Sequence, residues 1–127
     1  METILRPYGL GGTQWWVLRQ LTRQDRIRQR DLAPMLHVER ATASDIVLTL
    51  VRKGLVEQAV DPADLRQKVL RLTDAGERLW STLPDPIEML HSIAFGGLAD
   101  TDVATVVDVL RGATERLARF RGEREVP

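Results

Sequence analysis

Two short runs near the middle of the chain, LVEQAV (residues 55–60) and KVLRLT (residues 68–73), read as strands, with Leu70 and Leu72 on one strand face. The turn between them carries Asp61, Asp64 and Arg66, and Lys68 opens the second run. A hairpin whose tip holds this many charges is built to meet something other than a protein core. What it meets depends on the segments around it.

Those segments are helical by their apolar spacing. TQWWVLRQLTRQ places Trp15, Leu18 and Leu21 on one face, with Thr13 as its expected N-cap after Gly11 and Gly12. QRDLAPMLH follows, with Leu32 and Leu36 one turn apart; Pro34 is expected where the first turn has barely closed and its missing N–H matters less. In VERATASDIVLTLVRKG, Ala43, Ile46, Val47 and Leu50 form the inward stripe. Ala41, Asp45, Leu48 and Arg52 fall opposite, and Gly54 is the stop. After the hairpin, TDAGERLWSTL restarts helix behind Thr73 until Pro84 and Pro86 kink or divide it, and Gly96 and Gly97 mark a turn. The last helix carries Val103, Val106, Val107, Leu110, Ala113, Leu117 and Phe120 as one apolar stripe.

At 127 residues the chain is expected to form one domain, residues 1–127, with little length to spare, so dimerisation would help it. It contains no cysteine, which removes disulfides and thiolate metal sites, and only His37 and His91 as histidines. No metal and no cofactor is expected. No membrane span or secretory signal is legible, which points to the cytoplasm. The zero net charge averages two unlike halves: residues 13–73 hold 11 Lys+Arg against 7 Asp+Glu, a formal +4, and residues 74–127 hold 6 against 10, a formal −4. A basic half joined to an acidic half suits one surface for a polyanion, against the plainer reading of scattered surface charge.

Three helices, a charged hairpin and two further helices is the order of a mainly α (α+β) winged helix-turn-helix with an appended helical arm. Its second and third helices are separated by residues 37–39 alone. The hairpin is then a two-stranded wing. A wing lies along the sugar-phosphate backbone, where an arginine can enter the minor groove and its neighbours can touch phosphate.

GLVEQAVDPADLRQKVLRLTDAG also resembles the wing of the multiple-antibiotic-resistance regulator (MarR) family, with Asp61, Asp64 and Arg66 meeting its Asp-x-x-Asp-x-Arg pattern and LTDAG its exit into the next helix. YGLGGTQWWVLRQL and GLADTDVATVVDVL are similar to the family's first DNA-binding-half helix and its last helix, so the resemblance covers roughly residues 8 to 120. It implies a homodimer on a pseudo-palindromic operator of double-stranded DNA, repressing until a small anionic or phenolic ligand releases it. Residues 13–73 would bind DNA, and residues 1–12 and 74–127 would dimerise through Val103, Val106, Val107, Leu110, Leu117 and Phe120. Only METILRPYGL precedes the matching region, so the family's long N-terminal helix is expected to be truncated. The true start lying upstream is the other explanation of that short beginning.

On this reading Arg66, positioned by Asp64, enters the minor groove, and Gln67 and Lys68 contact phosphate. Arg40, Ala41, Thr42 and Ser44 face base edges or phosphate, Arg28 and Gln29 meet a phosphate where the second helix opens, and the plain alternative is a solvated surface. Asp45 and Thr49 stand where the family commonly has basic residues, which predicts a weaker or unusual reader. Tyr8, Trp15, Trp16, Trp80 and Met89 are candidates for a ligand pocket, with core packing as the competing reading. No catalytic constellation rises above the background of a charged helical protein, so an enzyme is not expected. The alternative to a DNA-binding regulator is a degenerate winged-helix protein-interaction module that heterodimerises or captures a protein partner.

Overall fold

In the computed structural model, which describes residues 1–125, the chain divides after Pro86 into two compact units. The first contains a four-residue helix α1 (Glu2–Leu5), a 3-10 turn (Arg6–Tyr8), α2 (Gly12–Arg23), β1 (Ile27–Arg28), α3 (Gln29–Leu36), α4 (Arg40–Arg52), β2 (Val56–Asp61), β3 (Asp64–Leu72) and α5 (Asp74–Thr82). At the boundary Pro86 opens α6 (Pro86–Phe95), which α7 (Asp100–Glu125) follows in the second unit. No helix among the described residues is long and apolar enough to cross a membrane.

The core of the first unit is a layer of branched side chains, one or two from each element. Leu5, Val17, Leu18, Leu32, Val47, Leu50, Val56 and Leu70 are all fully buried. Each contributes about 1.5 to 3 kcal/mol by leaving water. The stripe expected on α4 faces inward, with Ala43, Val47 and Leu50 buried and Ala41, Asp45, Leu48 and Arg52 exposed. Residues 37–39 form the turn into α4, and His37 takes the left-handed conformation (φ 56°) while the Val38 N–H reaches back to the Ala33 carbonyl. His37 is therefore a helix terminator. Gly54 (φ 74°) closes α4 in the same way, with the Leu55 N–H on the Leu50 carbonyl.

The structure corrects several expectations. The sheet has three strands in the order β1-β3-β2, because Ile27 and Arg28 pair with Leu70 and Val69. β3 also begins at Asp64, so Asp64, Arg66, Gln67 and Lys68 stand on the strand and only Pro62 and Ala63 form the loop. The Asp61 carboxylate closes that loop by accepting the Ala63 N–H at 2.9 Å. Helix α2 starts two residues early: Gly11 is its N-cap, and the Gln14 side chain accepts the Gly11 N–H, so Thr13 does not cap it. Pro34 lies in the second turn of α3, where it forgoes the bond to the Arg30 carbonyl. The segment before α2 is a short helix and turn, and its Leu5 and Leu10 are buried in the first unit.

The LTDAG segment has a steric explanation. Thr73 caps α5 by accepting the Gly76 N–H at 3.0 Å, while its hydroxyl donates to the Gly54 carbonyl at 2.6 Å. This draws α5 so close to the α4–β2 turn that a Cβ on Gly76 would lie 2.2 Å from the Leu55 carbonyl oxygen. Gly76→Ala is expected to lower the unfolding free energy by about 2 to 3 kcal/mol through overpacking, and Thr73→Ala by about 1 kcal/mol through loss of the cap. Urea denaturation of the two variants checks this, and a Gly76→Ala chain as stable as the parent would contradict the close approach.

Candidate nucleic-acid interface

All the residues expected to meet DNA lie in the first unit, on β1, α3, α4 and β3. The first half of α4 presents Arg40, Ala41, Thr42 and Asp45 to solvent, with Ser44 half-buried. Thr49 is also half-buried, and its hydroxyl donates to the Asp45 carbonyl at 3.0 Å, which draws it back onto its own helix. The groups open to a duplex are thus a guanidinium, a methyl, a hydroxyl and a carboxylate.

At the wing, Arg66 is 89% exposed and held in place from behind. Asp64 Oδ1 accepts both its backbone N–H, at 3.1 Å, and its Nε–H, at 3.2 Å. Spending one edge of the guanidinium on Asp64 leaves the other edge directed away from the hairpin. Gln67 is half-buried and Lys68 exposed along the same strand.

Arg28 and Gln29, expected as phosphate contacts, are instead turned toward the wing. Arg28 Nε lies 3.1 Å from Asp61 Oδ2, and the Gln29 side-chain oxygen accepts from Gln58 Nε2 at 2.6 Å. Arg28 stands at the N-cap of α3 without a side-chain cap bond, as expected of a poor capping residue. Two neighbouring side chains therefore join the start of α3 to strand β2. Arg30, which sequence reasoning passed over, lies close enough to act on Asp64 electrostatically, and its only sequence signal was its place beside Arg28.

The aromatic candidates separate. Trp15 and Trp80 have ring centroids 5.6 Å apart and, with Arg19, Leu83, Pro84 and Asp85, line a depression of about 180 Å³. The Arg19 guanidinium lies over both Trp15 and Trp16, at 5.7 and 5.2 Å from the ring centroids. Trp16 lines a different and larger depression of about 500 Å³ with Met1, Glu2, Met35 and His37. Tyr8 lines neither of the two, and Met89 belongs to the second unit, where it is exposed on α6. In that unit His91 packs against Phe95, with ring centroids 5.2 Å apart. On α7, Val106, Val107, Leu110, Leu117 and Phe120 are exposed and Val103 is half-buried. Among the described residues no group of three metal-ligating side chains comes together.

Hydrogen bonds from the Arg66 backbone and then from its side chain hold the Asp64 carboxyl below the ordinary carboxylate range, and the charges of Arg28 and Arg30 add to this. A lowered carboxylate keeps its partner at neutral pH and releases it only as pH falls through the lowered value. By NMR, Asp64 is expected to titrate below the 3.8 of an unperturbed aspartate and to return toward it in Arg66→Ala. A wild-type midpoint at or above 3.8 would contradict the pairing.

Comparison with known proteins agrees with this geometry. The MarR family model matches residues 11–68. The uncharacterised HTH-type transcriptional regulator YwaE of Bacillus subtilis is 25% identical over 118 residues, 92% of this chain and 69% of YwaE. The chain spans 58 to 69% of the length of the curated relatives it matches. Among solved structures, the PcaV transcriptional regulator of Streptomyces coelicolor in complex with its natural ligand superposes with a TM-score of 0.71 at 29% identity, covering 84% of this chain and 75% of PcaV. A mutant MarR of E. coli complexed with operator DNA superposes with a TM-score of 0.79 at 25% identity, covering 88% and 81%. With its wing braced beside an exposed helix-turn-helix, this chain is similar over residues 11–68 to the MarR family of winged helix-turn-helix transcription regulators.

Proposed function

We propose that the chain is a homodimeric, cytoplasmic repressor that binds a pseudo-palindromic operator and is released from it by a small ligand, and that it is not an enzyme. The observation that carries this reading is the exposed, Asp64-held Arg66 on the same compact unit as the solvent-facing half of α4. Arg40, Ala41, Thr42 and Ser44 would read the major groove, and Arg66 would enter the flanking minor groove with Gln67 and Lys68 near phosphates. Arg28 and Gln29 serve mainly by bracing the wing, with what remains exposed of Arg28 near the backbone. The mutant MarR bound to operator DNA supports the docking mode.

Dimerisation is supported by α7. Val103, Val106, Val107, Leu110, Leu117 and Phe120 repeat at helical spacing along a helix of 26 residues, and Leu110 and Leu117 are 62% and 63% exposed. A continuous apolar row of this kind is stable in water only when covered, and a second copy related by a two-fold axis covers it with the same row. Two copies then present two α4 helices to half-sites about 34 Å apart. For the ligand, the depression of Trp15, Trp80 and Arg19 offers two aromatic faces and a cation, which suits a small anionic or phenolic ring; the ligand-bound PcaV supports a ligand-responsive reading.

Asp45 favours a second reading. An exposed carboxylate on the groove-facing helix repels phosphate and accepts only from donors such as cytosine N4, so a protein partner is the alternative occupant of this surface. Binding to duplex recovered by selection from a random pool separates the two. With about six phosphate contacts, affinity should fall roughly a thousandfold between about 50 and 200 mM salt. Arg66→Ala should weaken binding to many sequences and reduce the salt slope by about one, whereas Arg40→Ala should relax one base position by about 1 to 3 kcal/mol. Salt-independent or absent duplex binding, together with a monomer in light scattering, would overturn the repressor reading in favour of the interaction module.

A further inference from the structure

Among the large apolar side chains of residues 1–86, the most exposed is Leu65, at 78%, and it stands between Asp64 and Arg66 at the tip of the wing. Its surroundings are stiff. Asp61 closes the two-residue loop through the Ala63 N–H, and Asp64 fixes Arg66 through backbone and side chain, so the residue between them has little freedom to fold away. Strand alternation sends Leu65 to the face opposite Asp64 and Arg66. The tip therefore carries a cation on one face and a branched apolar side chain on the other, with the exposed Val60 near the end of the neighbouring strand.

We propose that Leu65 is a specificity-determining residue: it seats against the minor groove beside Arg66 and favours A·T over G·C pairs beneath the wing. The inference rests on the duplex reading above. The walls of a minor groove are the C–H surfaces of deoxyribose, which an apolar side chain can cover without stranding a polar group. The floor separates the base pairs chemically. A·T pairs present acceptors alone, whereas G·C adds the guanine N2 amino group, which projects into the groove. Under a leucine that amino group both obstructs seating and loses its water partner, and leucine offers no acceptor in return. A·T-rich tracts are also narrower, so both sugar walls reach the side chain while the deeper negative potential attracts Arg66. Arginine supplies the attraction and leucine supplies the exclusion.

The test isolates the amino group. In the duplex recovered by selection, adenines under the wing are replaced by 2,6-diaminopurine, which pairs with thymine but adds the minor-groove amino group. The wild-type chain is expected to lose about tenfold in affinity on the modified duplex, the scale of burying most of a leucine side chain. Leu65→Ser should bind the unmodified duplex about tenfold more weakly than wild type, with an unchanged salt slope because no ion contact is lost. It should also bind the modified and unmodified duplexes nearly alike, and Leu65→Met should retain the discrimination. Equal discrimination by wild type and Leu65→Ser would assign the effect to Arg66 alone and overturn the proposal. A wild-type chain that binds no duplex would overturn the operator reading itself, which is a distinguishable result.

Discussion

The wing of this protein depends on one ion pair beside its tip loop. Asp61 is the only charged residue buried in the core among the described residues, at 7% exposure, and a carboxylate there is tolerable only if its oxygens are occupied. Arg28 Nε occupies one and the Ala63 N–H the other. Because Arg28 belongs to β1 and stands at the N-cap position of α3, while Asp61 ends β2, this contact ties the hairpin to the helix-turn-helix. The Gln29–Gln58 hydrogen bond runs beside it. Two charges that sequence reasoning gave to DNA and to the hairpin tip are thus spent on each other, and the benefit is a wing held in a defined position.

From that joint the rest of the interface follows. β3 is the central strand, paired on one side with β1 and on the other with β2, so the strand that bears Arg66 also carries Val69 and Leu70 into the core. A displacement of the wing would have to move buried side chains. At the other end of the hairpin, the Thr73 hydroxyl and the bare Cα of Gly76 lock α5 against the α4–β2 turn. Lys53, just beyond α4, donates to the Gly9 carbonyl and to Gln14 Oε1, joining the end of α4 to the start of α2 and the segment before it. Of the exposed groups expected to meet DNA, Arg66 is held directly by a bonded neighbour, Asp64.

Much of this was legible from local pattern. The apolar stripe of α4, the glycine stop at Gly54, the tight turn before Arg40 and the breaks at Pro84, Pro86, Gly96 and Gly97 all depend on residues near in sequence, and they stand where periodicity and turn chemistry put them. What was missed depends on distant partners. A two-residue strand such as β1 has no period of its own and exists because β3, some forty residues later, pairs with it. The same holds for Arg28 and Gln29, whose orientation toward the wing is set by Asp61 and Gln58. Trp15 and Trp16 adjoin in sequence yet line different depressions, because successive helical positions are about 100° apart and only the first faces Trp80. Leu65 was passed over because sequence reading placed it in a turn and weighed only that turn's charges; the structure puts it on β3, exposed beyond the core.

The central proposal is that the Asp61–Arg28 contact holds the wing where Arg66 would reach the groove beside the one that α4 would read. Hydroxyl-radical footprinting of the selected duplex with wild type and Asp61→Asn tests it most directly, since asparagine preserves size and the bond to Ala63 while removing the charge. The expected result is a wild-type footprint with a central protected tract and flanking wing protections, of which Asp61→Asn retains the centre and loses the flanks. Flanking protection of equal strength in both proteins would contradict the account.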